Sequence, residues 1–525
     1  MHTTTWDELL STALLGTDRR AAPAGRPGQA PALALLDEAA LHAVRRRAGA
    51  LPAAARARPE PAPEDPRPCL PEAARRRLAL LLADRAGPAT GRRGSAPDLV
   101  ELLPQWLAAA NLRGYRAPDA LLPELLDAAR ARSDLRQEVL RLGGERARWL
   151  ARLNPQWKFA LRARPAEPAG SGPADRQRVW REGLFAERSA VLATLRRQNP
   201  DAARELLAGT WASERAEDRL MFLDSFHDGL RPADEPFLEA ALADRSRNVR
   251  ALAARLLTLL PESALAARMA RRARACVSRD RLRGAGPLIV VEAPHECDAA
   301  MQRDGVVVNP PSGRGERSWW LGQIVEAAPL SVWPAHLGVS GAAGAVALPV
   351  ADGWRQELHA AWCRAAVQQR DTEWSRALLG PATAPPGPGE SSWRDPAKLL
   401  TALPRGERAE WVAQFIATHG LPDAFRMIGV CEVPWAGPLG RAVIDALDIA
   451  RESGGYPWSF SGVMGLAERC LDPDQADRLQ ALVGAPDQPE HTGSSPGAFD
   501  YWTEAFQRLV DTLRLRAVMR AELEP

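Results

Sequence analysis

At 525 residues the chain is longer than one compact core supports, so several domains or an elongated stack are required. A hydrophobic share of 46% and a charged share of 25% exclude wholesale disorder. With 68 basic against 65 acidic side chains the net charge is +3, too weak a field to point to nucleic acid or a membrane surface.

Alanine and leucine dominate while only three tyrosines occur, which favours helix over sheet. The opening residues Met1 to Asp7 lack the basic start and apolar run of a signal peptide. No stretch approaches the roughly 20 uncharged apolar residues that a membrane helix needs. Cys69, Cys276, Cys297, Cys363, Cys431 and Cys470 stand singly, which suits free thiols in a reducing compartment. A cytoplasmic location is therefore expected, with no membrane partner.

Thr5 and Glu8 have the spacing of a capping box, and Trp6, Leu9, Leu10, Ala13 and Leu14 then share one helical face that Gly16 terminates. Pro/Ala/Gly-rich stretches near 21–32, 51–68, 164–174, 381–390 and 484–498 carry no apolar period and read as linkers. They divide the chain into an N-terminal helical region (1–160), helical repeats (175–285), a small insert (286–312) and a C-terminal helical region (313–525).

Within the repeats, Leu184, Val191, Leu192 and Leu195 mark a helix stopping at Asn199-Pro200, and Phe222, Leu223, Phe226 and Leu230 mark another. The clearest unit follows. Phe237, Leu238, Ala241 and Leu242 form a short face, the chain breaks at Asp244-Arg245-Ser246, and Ser246 is placed to cap a second helix. Val249, Leu252, Ala253, Leu256, Leu257 and Leu260 give that helix a wide buried stripe ending at Pro261. Two short helices cannot bury these faces alone, so a stack of pairs is expected. Leu399 to Pro404 echoes Leu256 to Pro261.

In the middle, Leu288-Ile289-Val290-Val291 and Val306-Val307-Val308 are compact β-prone runs, predicting a hairpin-like insert at 286–312. Trp319, Trp320, Ile324 and Val325 then resume a helical pattern.

Residues 236–250 resemble a HEAT repeat: Pro236 in the first helix, Asp244 in the turn, and Val249-Arg250 early in the second helix stand at that family's intervals. The resemblance implies an all-α fold, an α-α superhelix of stacked helical pairs, with Asp244 and Arg250 as a structural ladder between adjacent repeats. A wider resemblance rests on Trp6 to Leu10, Ala13 to Arg19, Asp304-Gly305 and Gly315 to Leu321. These look like an uncharacterised bacterial family whose members tend to be encoded beside a MoxR-type AAA ATPase, a von Willebrand A-domain protein and a SWIM zinc-finger protein. It implies an adaptor role and supplies no reaction.

No catalytic set emerges. The eight histidines are scattered, and His295-Glu296-Cys297 is the one local cluster of ligand-type residues, pointing apart on any element. Ser312 to Arg317 opens like a phosphate loop but lacks a G-K-[ST] ending, and Gly338-Val339-Ser340-Gly341 is too short for a nucleophile elbow. No cofactor and no metal are expected. The candidate partner contact is Arg314, Arg317, Trp319 and Trp320, because adjacent tryptophans on a helix cannot both centre one buried face. The expected function is a non-catalytic protein-binding scaffold, with a MoxR-type AAA ATPase or von Willebrand A-domain protein as the partner the resemblance implies. The rival is a nucleic-acid binder or DNA glycosylase, since certain HEAT-like proteins hold damaged duplex with Arg and Trp.

Overall fold

A computed structural model describes residues 5–49, 59–86, 98–162, 173–280, 286–385, 394–483 and 498–524. The chain forms two compact units, Met1–Pro63 and Glu64–Pro525. Most of the linker stretches read from the sequence lie outside the described residues.

The first unit is a pair of helices, Trp6–Leu15 and Pro31–Gly49. The capping box forms: the Glu8 amide donates to Thr5 Oγ1 at 3.3 Å and the Thr5 amide to Glu8 Oε2 at 2.7 Å. Gly16 ends the helix at φ +86°. The expected apolar face is only partly covered. Leu9 is buried, whereas Leu10 and Leu14 are 50% and 79% exposed, because a single partner helix can shield one flank and no more.

In the second unit, Glu235–Ala241 and Arg247–Thr258 are adjoining helices, with Leu238, Ala241, Val249, Leu252, Ala253, Leu256 and Leu257 buried. Such pairs recur along the unit. Arg376 reaches Glu407, Arg426 reaches Asp395, Trp411 Nε1 donates to Gly380 O and Thr372 Oγ1 to Ala402 O, joining residues 31, 31, 31 and 30 apart. That span is about one helical pair, so each bond stitches a pair to the next. The echo between 256–261 and 399–404 is a shared helix ending: Leu260 N donates to Leu257 O at 3.0 Å and Leu403 N to Leu400 O at 3.1 Å.

The unit holds two apolar cores. One gathers Leu78, Leu103, Trp106, Leu125, Val139 and their neighbours; the other runs from Trp180 to Leu513. The final helix, Ala498–Ala521, serves both, giving Trp502, Phe506 and Leu509 to the long core and Met519 to the first, to which Leu523 beyond it also belongs. Polar bonds fasten this junction. Arg77 forks onto Glu522 at 2.9 and 2.8 Å, Tyr115 donates its hydroxyl to Leu523 O at 3.2 Å, and Gln105 Nε2 donates to Arg469 O at 2.7 Å. The first helices of the unit are therefore partly covered by residues some 400 positions away, not only by their sequence neighbours.

The small sheet pairs β1 (Val277–Asp280) with β2 (Leu288–Val291), antiparallel, Val277 opposite Val291. The partner of the Leu288 run thus precedes it, and Val306–Val308 is not a strand. The other edge of β2 is touched by Val350: Ile289 N donates to Pro349 O and Ala351 N to Ile289 O, both at 2.9 Å.

His359 lies 2% exposed, 5.4 Å from the Trp362 ring. Burial, with Arg355 adding to it, pushes its imidazole down to about 4. In the unfolded chain it titrates near 6.5. Its contribution is thus whole above that pH and lost as pH falls through 4, about 3 kcal/mol in all. Urea midpoints at pH 7 and pH 4.5 should differ less for His359→Leu than for the wild type; equal differences would refute a neutral buried imidazole.

Candidate interaction surface

Arg314, Arg317, Trp319 and Trp320 come together at the start of helix Glu316–Ala327. Most of their bonding capacity is turned inward. Trp319 Nε1 donates to Val307 O at 2.9 Å and Trp320 Nε1 to Val308 O at 2.8 Å, while Gln323 Oε1 accepts from the Val307 amide at 2.8 Å. These bonds occupy the backbone that a β ladder would use, which explains why the valine run is not a strand. Arg317 donates to Pro294 O at 3.2 Å and Ala293 O at 2.5 Å. Trp320 is 5% exposed. Arg314, its guanidinium 5.8 Å from the Trp319 ring, is the member left facing solvent without a backbone acceptor.

Asp244 reaches back beyond its own pair of helices, its partner being Arg219 of helix Ala216–Asp224 at 2.9 Å. Its carboxylate also accepts from the Ser246 amide at 2.8 Å, so Ser246 occupies the cap position without its hydroxyl capping the helix. Arg250 stays within its own turn, donating to Asp244 O at 2.7 Å and Arg245 O at 3.1 Å. Asp304, 3% exposed, accepts from Arg268 at 3.0 Å and Arg272 at 2.6 Å. Arg268 continues to Glu239 at 3.1 Å. A Cβ on Gly305 (φ +94°) would sit 2.5 Å from Ala254 Cβ, so the Asp304-Gly305 pair is a packing device.

His295 approaches Glu292 at 3.8 Å, both largely exposed. Among the described residues no group of three or more His, Cys, Asp or Glu side chains is placed to hold a metal. The six cysteines are free thiols; burial pushes Cys276 and Cys431 up to about 11, leaving them protonated and unreactive at neutral pH.

A second accessible surface lies around 420–460. Helices Arg405–His419 and Gly437–Glu452 flank a mostly apolar groove of about 620 Å³, walled by Leu421, Pro422, Pro438, Ala442, Ile449 and Phe460, with Arg441 and Asp445 also lining it. Ile449 is 62% exposed. Phe460 ends a connecting segment that starts at Gly454 and closes in the one-turn 3-10 helix Pro457–Phe460, which carries an aromatic cluster. Tyr456 and Trp458 stack at 4.1 Å and 14°, and Tyr501 meets Trp458 edge-on at 5.4 Å. Trp458 and Tyr501 remain 56% and 51% exposed. The segment is held from beneath, where Trp502 Nε1 donates to Gly455 O at 2.6 Å and its ring lies 6.0 Å from Phe460. Exposed Glu452, Asp500 and Glu504 flank these aromatics in sequence.

Sequence reasoning passed over this surface, although the signal was present. Two of the three tyrosines belong to it, and Gly-Gly-Tyr-Pro-Trp-Ser-Phe puts three aromatics in a short connecting stretch with no helical apolar period to demand them.

The family model that matches the chain is described as a family of unknown function (DUF5691) and spans residues 8–523. Neither curated proteins nor solved structures gave a match.

Proposed function

The chain belongs to that family across nearly its whole length, and from its surface we propose that it is a non-catalytic scaffold that binds a segment of another protein. The segment sets aliphatic side chains into the groove of Leu421, Ile449 and Phe460 and a basic side chain on the Tyr456–Trp458–Tyr501 cluster. One observation carries this reading: Trp458 on a pinned turn and Tyr501 of the final helix, each about half exposed and packed edge to face, beside an open groove. Tryptophan and tyrosine are the residues on which binding energy concentrates when a partner covers them. Their negative ring faces, with Glu452, Asp500 and Glu504 close in sequence, favour a cation.

The HEAT-like resemblance and the implied MoxR-type AAA ATPase or von Willebrand A-domain partner belong to the same proposal, as does a cytoplasmic setting. No helix among the described residues is long and apolar enough to cross a membrane. The nucleic-acid rival is less well supported, since many arginines are occupied within the protein: Arg188 on Glu214, Arg219 on Asp244, Arg268 and Arg272 on Asp304, Arg376 on Glu407.

The test titrates purified MoxR-type ATPase and von Willebrand A-domain protein, and separately duplex DNA, against wild-type chain and Trp458→Ala. Partner binding should weaken by about tenfold or more in the variant, a loss of ~1.4 kcal/mol or above. Equal affinity for the variant would remove the groove from the reading. Salt-dependent DNA binding without protein binding would replace it with the rival.

A further inference from the structure

A second cavity, of about 260 Å³, sits between helix Leu99–Leu112 and the final helix, closed on one side by Val433 and Pro434. Its walls are apolar: Leu102, Trp106, Met519 and Leu523 are each 5% exposed or less. Two cations line it, Arg516 and Arg520, one helical turn apart. Like charges at that spacing repel.

Arg516 is itself only 5% exposed. Its Nη1 donates to Glu468 O at 3.2 Å and Leu471 O at 2.6 Å. A guanidinium has five N–H donors, and among the described residues no carboxylate pairs with this one. The nearby carboxylates have other partners. Glu468 holds Arg508 at 2.8 Å, and Asp472 lies 3.7 Å from Arg520 while accepting from the Asp474 amide at 3.1 Å. Burial, with Arg520 adding to it, brings the Arg516 guanidinium down to about 10, so it is still charged at neutral pH. Trp106 supplies a second unmet donor, its buried Nε1 having no hydrogen-bond partner.

A buried cation with no carboxylate bonded to it, Asp472 acting on it only from a distance, is costly, and an anion brought beside it recovers part of that cost. We infer that this cavity is a binding site for a carboxylate with a compact apolar body, its oxygens on Arg516 and Arg520 and its body against Leu102, Trp106 and Met519. The volume falls just under the usual range for ligand pockets, about 300–1,000 Å³. It admits a small aryl or alkyl carboxylate, or the terminal carboxylate and last side chain of another polypeptide, and excludes a nucleotide. Because the cavity lies between the first helices of the unit and the last, an occupant would tie them together.

The test uses the full chain and 3-phenylpropionate, followed by tryptophan fluorescence and thermal shift, with 3-phenylpropanamide as the neutral isostere. The carboxylate should bind saturably and the amide about tenfold or more weakly. Arg516→Gln should abolish binding. Since that variant loses two helix-end bonds, Ala109→Phe, which fills the cavity and leaves the guanidinium intact, provides a second reading and should also abolish it. Trp458→Ala should leave it unchanged, which keeps this outcome separate from that of the groove. A leucine-terminated peptide with a free carboxylate, compared with its C-terminal amide, tells a chain terminus from a free acid; tighter binding of either carboxylate upholds the class. Equal binding of the amides, or no saturable carboxylate binding up to about 10 mM, would overturn the inference.

Discussion

Asp234→Ala should lower the stability of the second unit by about 3–5 kcal/mol, read as a shift of the urea midpoint at constant slope. Asp234 and Arg196 are both 0% exposed and meet through two bonds of 3.0 and 2.8 Å. The guanidinium also donates to Asp228 O at 3.1 Å, Gly229 O at 3.0 Å and Pro200 O at 3.3 Å, and stacks 4.1 Å from the Phe226 ring. The arginine is thus locked in place by carbonyls that stay when the carboxylate goes. Alanine would strand a full positive charge where no water reaches, and the Coulomb loss outweighs the desolvation of the carboxylate that is saved. Removing both charges together, with Arg196→Met and Asp234→Leu, should cost distinctly less than Asp234→Ala alone. A loss below about 1 kcal/mol for the single variant would mean that water entering the site compensates.

Neither residue of that pair stood out in the sequence, and the reason is general. Periodicity reports which flank of a helix is apolar, as it did for Val249, Leu252, Leu256 and Leu257. It does not report what covers the flank. A buried Arg looks like any surface Arg in a chain whose basic residues are nearly all arginine. The same blindness hid the junction where Tyr115 and Arg77 meet Leu523 and Glu522, because contacts across some 400 residues leave no local trace. Where partners were near in sequence the reading did better: the capping box of Thr5 and Glu8, the Asn199-Pro200 break and the helix ending shared by 256–261 and 399–404 are all present.

For the candidate surfaces the competition was between exposure and internal bonding. Two adjacent indoles on a helix cannot both centre one buried face, and Trp320 is indeed the more buried of Trp319 and Trp320. Their N–H groups nevertheless found carbonyls at Val307 and Val308, converting a would-be contact into a clasp. Trp458 had no such outlet. Its segment is short, its neighbours are Gly, Pro and Ser, and its ring is stacked by Tyr456 instead of being enclosed. The rule that separates the two cases is whether a backbone with unspent acceptors lies within reach, and only coordinates supply that.

Trp362→Ala is the other substitution expected to have a large effect, about 3–5 kcal/mol. The ring is 0% exposed and sits among Trp333 at 5.7 Å, Trp374 at 5.2 Å and His359 at 5.4 Å, so deletion opens a cavity that three rigid neighbours cannot fill. Trp362→Phe separates the contributions. It removes an indole N–H that is buried without a hydrogen-bond partner, so the smaller cavity it leaves is partly offset by the donor it eliminates. The phenylalanine variant should therefore lose about 1 kcal/mol or less, well under a third of the alanine loss. Equal losses in the two variants, measured by urea unfolding, would mean that aromatic geometry and not volume controls this cluster. A phenylalanine variant more stable than the wild type would instead make the unmet donor the larger effect.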